Sequence, residues 1–374
     1  MKPPINSSKV VRAPKRILVI RLDRLGDVVL STPVVRALRE AYPRAFLAMM
    51  VRPVCRELVE GHPCLDQVIV YDKDGRHRSI WQTARFALGL RRYRFEAAIV
   101  LHPSNRSHWI PWLAGIPVRV GYERNTSWLL THRVSHRKQE GRRHEATYTL
   151  QMLQALGLEP PEPHPVIPVH PECATRVHER LRALGVLDDR LLVAVHPSAS
   201  CVSKRWMPER FADVADRLAA QQGMTVVIIA GPDDVAQAQA MARAMRQPAI
   251  DLAGQLSVGE LAALLARCRL LLSNDSGPVH IAAAVGTPVV DIFGRNQRGL
   301  SPTRWGPLGN GHVVLHKEVG CVVCLAHQCT IQFKCLTELS VEEVYQAALS
   351  VLRRSRPTST AVSQIASSPG PRAV

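Results

Sequence analysis

Apolar and polar positions alternate along this chain in two long series. Short continuous apolar runs of buried-strand length occur at Arg16–Ile20 (RILVI), Phe46–Val51, Val68–Tyr71 and Ala97–Leu101. Between them lie stretches with helical spacing, including one from about Asp27 to Ala41 after the turn Arg21–Gly26 and one over Ile80–Leu90. The pattern restarts further on, with strands expected at Leu191–Val195, Thr225–Ala230, Leu270–Ser273 and Val289–Phe293, and helices at Glu209–Gln221, Val235–Met245 and Val258–Arg267. Strand and helix in alternation predict parallel sheets wrapped by helices. Between the two series, Glu159–Pro171 (EPPEPHPVIPVHP) holds six prolines, too many for the interior of either element, and reads as a stiff connector.

The expected organisation is therefore a leader over 1–14, a first α/β domain over 15–158, a Pro-rich linker over 159–171 and a second domain over 172–340. A helix follows over 341–354, then a polar tail over 355–374. At 374 residues the chain is long enough for two cores. It lacks both a run of about 18 apolar residues and a signal-peptide core, and its nine cysteines show no secreted-scaffold pattern; a cytoplasmic protein without a spanning helix is expected.

Charge separates the halves. Residues 1–165 hold 27 Lys+Arg against 14 Asp+Glu, an excess of 13, whereas the remainder has an excess of only 4. An anionic partner is expected at the first half, whether nucleic acid, an acidic membrane surface or a phosphorylated substrate; a merely solvated basic surface is the plain alternative.

Five stretches can carry chemistry. In SNDSGPVH (Ser273–His280), a strand ends, Asp275 or Ser276 is placed to accept from the first free helical amides, and Gly277 lets the backbone approach a ligand; Pro278 suits the first turn. The N-terminus of such a helix favours phosphate, although an ordinary strand-to-helix turn has the same ingredients. RLDRLGD puts Asp27 at the start of a helix, where it either caps or, facing a cleft, takes a proton. HPSASCVSKRW crowds Ser198, Ser200, Ser203, Lys204 and Arg205 into one loop without Walker glycines. AGPDD places Asp233 and Asp234 where an acid can hold ribose hydroxyls or simply make a turn. Cys321, Cys324, Cys329 and Cys335, with His327 among them in loop 320–336, suit a structural metal, a local disulfide pair or free thiols.

Taken in order, RILVIRLDRLGDVVLSTPVVRALRE, HPSASCVSKRWMPERFADVADRL, AGPDD and DLAGQLSVGELAALLARCRLLLSNDSGPVHIAAAVGTPVVDIFG resemble the successive signatures of the family 9 glycosyltransferases, the heptosyltransferases of lipopolysaccharide, over about residues 15–354. The resemblance implies a GT-B fold, two Rossmann-like doubly wound domains facing across a cleft, with acceptor on the first and sugar nucleotide on the second. It implies inverting transfer of heptose from ADP-heptose to a Kdo-lipid A type of acceptor, with no cofactor or metal, by a monomer peripheral to the inner face of the inner membrane. Asp27 falls on the family's proposed base and Lys204 on a lysine of the phosphates. Asp275 falls on the acid that holds sugar hydroxyls, with Ser276, Gly277 and His280 beside it and Ser198 and Ser200 on the phosphate side. Asp234 stands where the family has a glutamate near the ribose, Leu256 near the adenine, and Arg21 and Arg24 on the acceptor side. Three other readings are kept: the same fold with another nucleotide sugar, for capsule or O-antigen; a nucleotide-sugar epimerase; and a nonenzymatic nucleic-acid binder, which leaves the paired domains unexplained.

Overall fold

In a computed structural model, residues 13–321, 324 and 326–354 are described. Most of the expected leader and all of the tail over 355–374 lie outside those residues. The first lobe contains β1 (Arg16–Ile20), α1 (Leu25–Val29), α2 (Thr32–Ala41), β2 (Phe46–Val51), β3 (Gln67–Val70), α3 (Ile80–Gly89), β4 (Ala97–Val100), α4 (Asn105–Leu113), β5 (Val118–Tyr122), β6 (His132–Val134) and α5 (Glu145–Leu150). The second opens with α6 (Pro171–Ala183) and continues through β7 (Leu192–His196), α7 (Pro208–Gln222), β8 (Thr225–Ile228), α8 (Val235–Ala244), β9 (Ala249–Asp251), α9 (Val258–Arg267), β10 (Cys268–Asn274) and α10 (Gly277–Ala284). It closes with β11 (Val289–Ile292), α11 (Pro302–Trp305), β12 (Val313–Leu315), α12 (Lys334–Thr337) and α13 (Val341–Arg354).

Each lobe is one six-stranded parallel sheet, in the orders β3-β2-β1-β4-β5-β6 and β12-β11-β10-β7-β8-β9. Both are the doubly wound order, reversing between β1 and β4 and between β7 and β10. Parallel strands covered on both faces must be apolar throughout, which is why RILVI and LVAV read as unbroken runs. One core merges residues of both lobes, among them Ile17, Val28, Leu192, Leu264 and Val279; separate cores lie under the outer faces.

Two expectations need correction. The helix over Asp27–Ala41 is two helices, because α1 stops at Val29, Leu30 and Ser31 intervene, and Pro33 sets the first turn of α2. The inner strand β5 and the short edge strands β6, β9 and β12 were not expected; β6, β9 and β12 are three residues each, and their cross-strand pairing rather than a local apolar run makes them strands.

Candidate active site

Both switch points open toward the other lobe. After β1, the turn Arg21–Arg24 leads into α1, whose first turn carries Asp27. After β10, Asp275–Ser276 leads into α10. α1 packs directly on α10: Gly277 lies against Leu25 and the Gly26 amide, and a Cβ on Gly26 would stand 2.5 Å from the His280 ring. The glycine is therefore required by the closeness of the two helix ends. Further along, the Glu57 carboxylate of the first lobe accepts from the Gly259 amide at 2.8 Å and so caps α9 from across the interface.

In the first lobe the organising residue is Arg21, only 2% exposed. Its guanidinium donates to the Leu101 carbonyl at 3.0 Å and pairs with Asp23 at 3.0 Å, with Glu145 at 3.2 Å and, closely, with Asp27. His102, just past β4, meets Asp23 at 2.8 Å. Glu145, which opens α5, also pairs with Lys138 and accepts from Arg304 of the second lobe at 2.8 and 3.0 Å. Burial disfavours its charge, but Lys138, Arg21 and Arg304 together hold its pKa down to about 2. Asp27 moves the other way: burial and the nearby Asp23 and Glu145 carboxylates raise its pKa against the pull of Arg21. An acid raised in this manner is a better proton acceptor than a free carboxylate.

The second lobe presents a cation pair and a helix end. Lys204 reaches the Asp275 carboxylate at 2.6 Å and its carbonyl at 3.2 Å, and Arg295 stands 3.7 Å from the same carboxylate. Asn274 ties the loops together, accepting from the Trp206 amide at 3.0 Å and donating to the Pro197 carbonyl at 2.8 Å. The Ser276 hydroxyl does not cap α10 as expected; it turns to Ser273 and to His196, both at 3.1 Å, leaving the first amides of α10 without a side-chain acceptor. Uncapped amides above two cations form an anion cradle. Beneath them a polar row, His196 on β7, Ser273 on β10 and Asp291 on β11, crosses three adjacent strands in register. Burial pushes His196 down to about 4 and His280 down to about 3, so both rings are neutral.

The structure thus brings Lys204 to Asp275, Ser198 to the Asp234 carbonyl (3.4 Å) and Ser200 to Arg24 across the lobes (3.5 Å). Arg205 stands 3.6 Å from the Asp234 carboxylate. Arg21, expected among the acceptor contacts, is instead buried inside its own ion-pair network. Leu256 is half-buried against the shared core. The sequence reading missed Glu145, Lys138, Arg304, Arg295 and Asp291. Only Asp291 left a legible trace, as a lone acid inside the apolar run VVDIF. The four cysteines of loop 320–336 are unbridged and line a cavity of about 220 Å³ with Gly294 and Arg295. Among the described residues no group of three or more His, Cys, Asp or Glu side chains is set to hold a metal.

A third feature adjoins the first switch point. A cavity of about 870 Å³ opens beside His102 and is lined by Lys73, Arg78, Arg106 and Arg124, with Asp74 as its one acid.

Two parallel doubly wound lobes, an acid at one switch point and an anion cradle at the other invite comparison with known proteins. The family model described as glycosyltransferase family 9 (heptosyltransferase) matches residues 83–334. The chain belongs to glycosyltransferase family 9. It is 25% identical over 300 residues to lipopolysaccharide heptosyltransferase 2 of Escherichia coli K12, covering 77% of this chain and 85% of that one. It is 29% identical over 283 residues to lipopolysaccharide heptosyltransferase 3 of the same strain, covering 72% and 79%. Among solved structures, the family 9 glycosyltransferase of Veillonella parvula superposes with a TM-score of 0.84 at 29% identity, over 91% of this chain and 98% of that one. E. coli ADP-heptose heptosyltransferase II superposes with a TM-score of 0.76 at 24% identity, over 91% and 99%, a likeness of fold. The architecture is GT-B, and the protein is a glycosyltransferase of the heptosyltransferase family; the epimerase and nucleic-acid readings fall away.

Proposed function

We propose that this family 9 enzyme transfers a heptose from ADP-heptose to a sugar hydroxyl of the lipopolysaccharide inner core, carried on lipid A. The observation that carries the reading is the direct packing of α1 on α10, which sets the Asp27 helix end against the Ser276–Gly277 helix end. The E. coli relatives matched in sequence are lipopolysaccharide heptosyltransferases, which supports the transferred sugar and the class of acceptor. The phosphates would sit on the uncapped α10 amides with Lys204, Ser198 and Ser200, the sugar hydroxyls on Asp275, and the nucleoside beside Asp234 and Leu256.

Asp27 takes the proton from the acceptor hydroxyl as its oxygen attacks the anomeric carbon from the face opposite the diphosphate. The carbon–phosphate-oxygen bond breaks, and ADP leaves with the electron pair. Direct displacement inverts the configuration. Lys204, Arg295 and the α10 dipole meet the negative charge gathering on ADP, so the residues present supply the electrostatic role a divalent ion would otherwise fill. Arg21 orients Asp27 while Glu145 keeps Arg21 in place. Arg24 and the basic cavity beside His102 would hold the anionic acceptor.

An acceptor of this kind is lipid-borne, which places the enzyme at the inner face of the inner membrane. The excess of 13 positive charges in residues 1–165 supports this, and among the described residues no helix is long and apolar enough to cross a bilayer. The test is purified enzyme with ADP-heptose and a panel of truncated core acceptors, product mass being measured beside Asp27→Asn. Failure to transfer heptose to any acceptor, or unchanged turnover in the variant, would refute it.

A further inference from the structure

The outer layer of the first lobe, on the sheet face turned away from the second lobe, has a surface the transfer chemistry does not use. On α3, Ile80 is 72% exposed, Trp81 86% and Leu88 46%. On α4, Trp109 and Trp112 are 41% and 45% exposed, and Trp128, in the tight turn Ser127–Leu129, is 64% exposed. α3 packs along α4, and α4 against that turn; the rings of Trp112 and Trp128 meet edge to face with centroids 6.5 Å apart. Four of the chain's six tryptophans are thus presented to solvent by one layer. Large apolar groups clustered on a surface mark a docking site, and the indole, with an apolar body and one N–H, is suited to the boundary between water and hydrocarbon.

Charge identifies the occupant. Residues 75–128 contain nine arginines, two glutamates and no lysine or aspartate. Arg78, Arg85, Arg91 and Arg92 are exposed around α3. A second copy of the chain docked through this face would set arginines against arginines, whereas an anionic lipid surface pairs with them. The same segments continue into the basic cavity, whose lining includes Arg78 before α3, Arg106 in the first turn of α4 and Arg124 ahead of Trp128. A bilayer seated on the tryptophans would lie at the rim of the cavity assigned to the acceptor.

We propose that α3, α4 and the Ser127–Leu129 turn form the membrane-docking face of this enzyme, with Trp81, Trp109, Trp112 and Trp128 at headgroup level on an anionic bilayer. The purpose of the face rests on the reading of the acceptor as lipid-borne; its chemistry does not. No bond is made or broken, and the contact is reversible, set by apolar burial and by attraction to lipid charge.

The full-length protein is sedimented at physiological ionic strength with vesicles of phosphatidylcholine alone or mixed with phosphatidylglycerol. Wild type should bind the anionic vesicles about tenfold or more tightly than the neutral ones, with a blue shift of tryptophan emission. Trp81→Ser/Trp128→Ser should lose about tenfold in vesicle affinity and transfer more slowly to acceptor embedded in vesicles, while its melting temperature and its rate on a delipidated, water-soluble acceptor stay at the wild-type level. Equal vesicle binding by variant and wild type would overturn the proposal. So would wild-type binding indifferent to lipid charge, or a variant whose only change is loss of a dimer. If wild type binds anionic vesicles but transfers to no acceptor, soluble or embedded, the docking face stands and the transfer reading fails.

Discussion

The two acid clusters that face each other across the lobes are built on opposite rules. In the first lobe Asp23, Asp27 and Glu145 are matched against Arg21, Lys138 and Arg304, with His102 beside Asp23. In the second, Lys204 and Arg295 both turn to Asp275, and neither oxygen of the fully buried Asp291 has a hydrogen-bond partner among the described residues. A buried carboxylate without a partner is costly, and burial together with the Asp275 charge drives the Asp291 pKa well above its ordinary value despite Lys204. The matched cluster fixes its acids in place and holds Asp23 and Glu145 in their charged forms, while Asp27 alone is raised. The unmatched one pushes Asp291 toward its neutral form beneath the anion cradle.

The largest effect that would break this contrast is at Asp27. Asp27→Asn should lower kcat by about 10²–10⁴, the worth of general-base help, with ADP affinity by calorimetry unchanged. Because the base works unprotonated and its pKa is raised, the wild-type rate should climb with pH through a range above that of ordinary carboxylates. The pH–rate profile measures this directly.

Glu145→Gln comes next. It strands Arg21, Lys138 and Arg304 in a buried site, at a cost of about 3–5 kcal/mol read from urea unfolding. Since the native pKa of Glu145 is held near 2, its contribution to wild-type stability is present above the ordinary pKa of 4.5 and fades as pH falls from there toward 2. The variant should lack that acid limb.

Lys204→Ala should raise the KM for sugar nucleotide about 10- to 100-fold, the value of a charge-assisted contact, and leave acceptor KM near wild type. Initial-rate kinetics with each substrate varied would separate the two.

Asp291→Asn sharpens the comparison with the smallest change. A native acid that keeps its proton when the unfolded chain has lost it makes wild-type stability fall as pH rises, by at most about 1.4 kcal/mol per pH unit. The variant should show a flatter slope in chemical unfolding as pH rises above the ordinary carboxylate range. A slope equal to that of wild type would show that Asp291 is already ionised.

The division between what was legible and what was hidden follows from range. RLDRLGD, HPSASCVSKRW and SNDSGPVH could each be read as strand end, turn and helix start, because apolar periodicity and turn chemistry are local. The edge strands left no such mark, since three-residue strands exist only through pairing. Arg21 and Arg24 read alike in the sequence, yet one is sealed in ion pairs and the other meets Ser200 across the lobes.

By itself, then, the sequence determined two doubly wound halves, their likeness to the heptosyltransferase family and the short stretches at their switch points. Those properties depend on residues within a few turns of one another. Only the tertiary structure decided that Glu145 and Arg304, 159 positions apart, close one network with Arg21. It alone set Gly26 against His280 and left Asp291 without a partner. Charges and packing act through space, and neither the partner of a buried group nor its protonation is written in its chain neighbours.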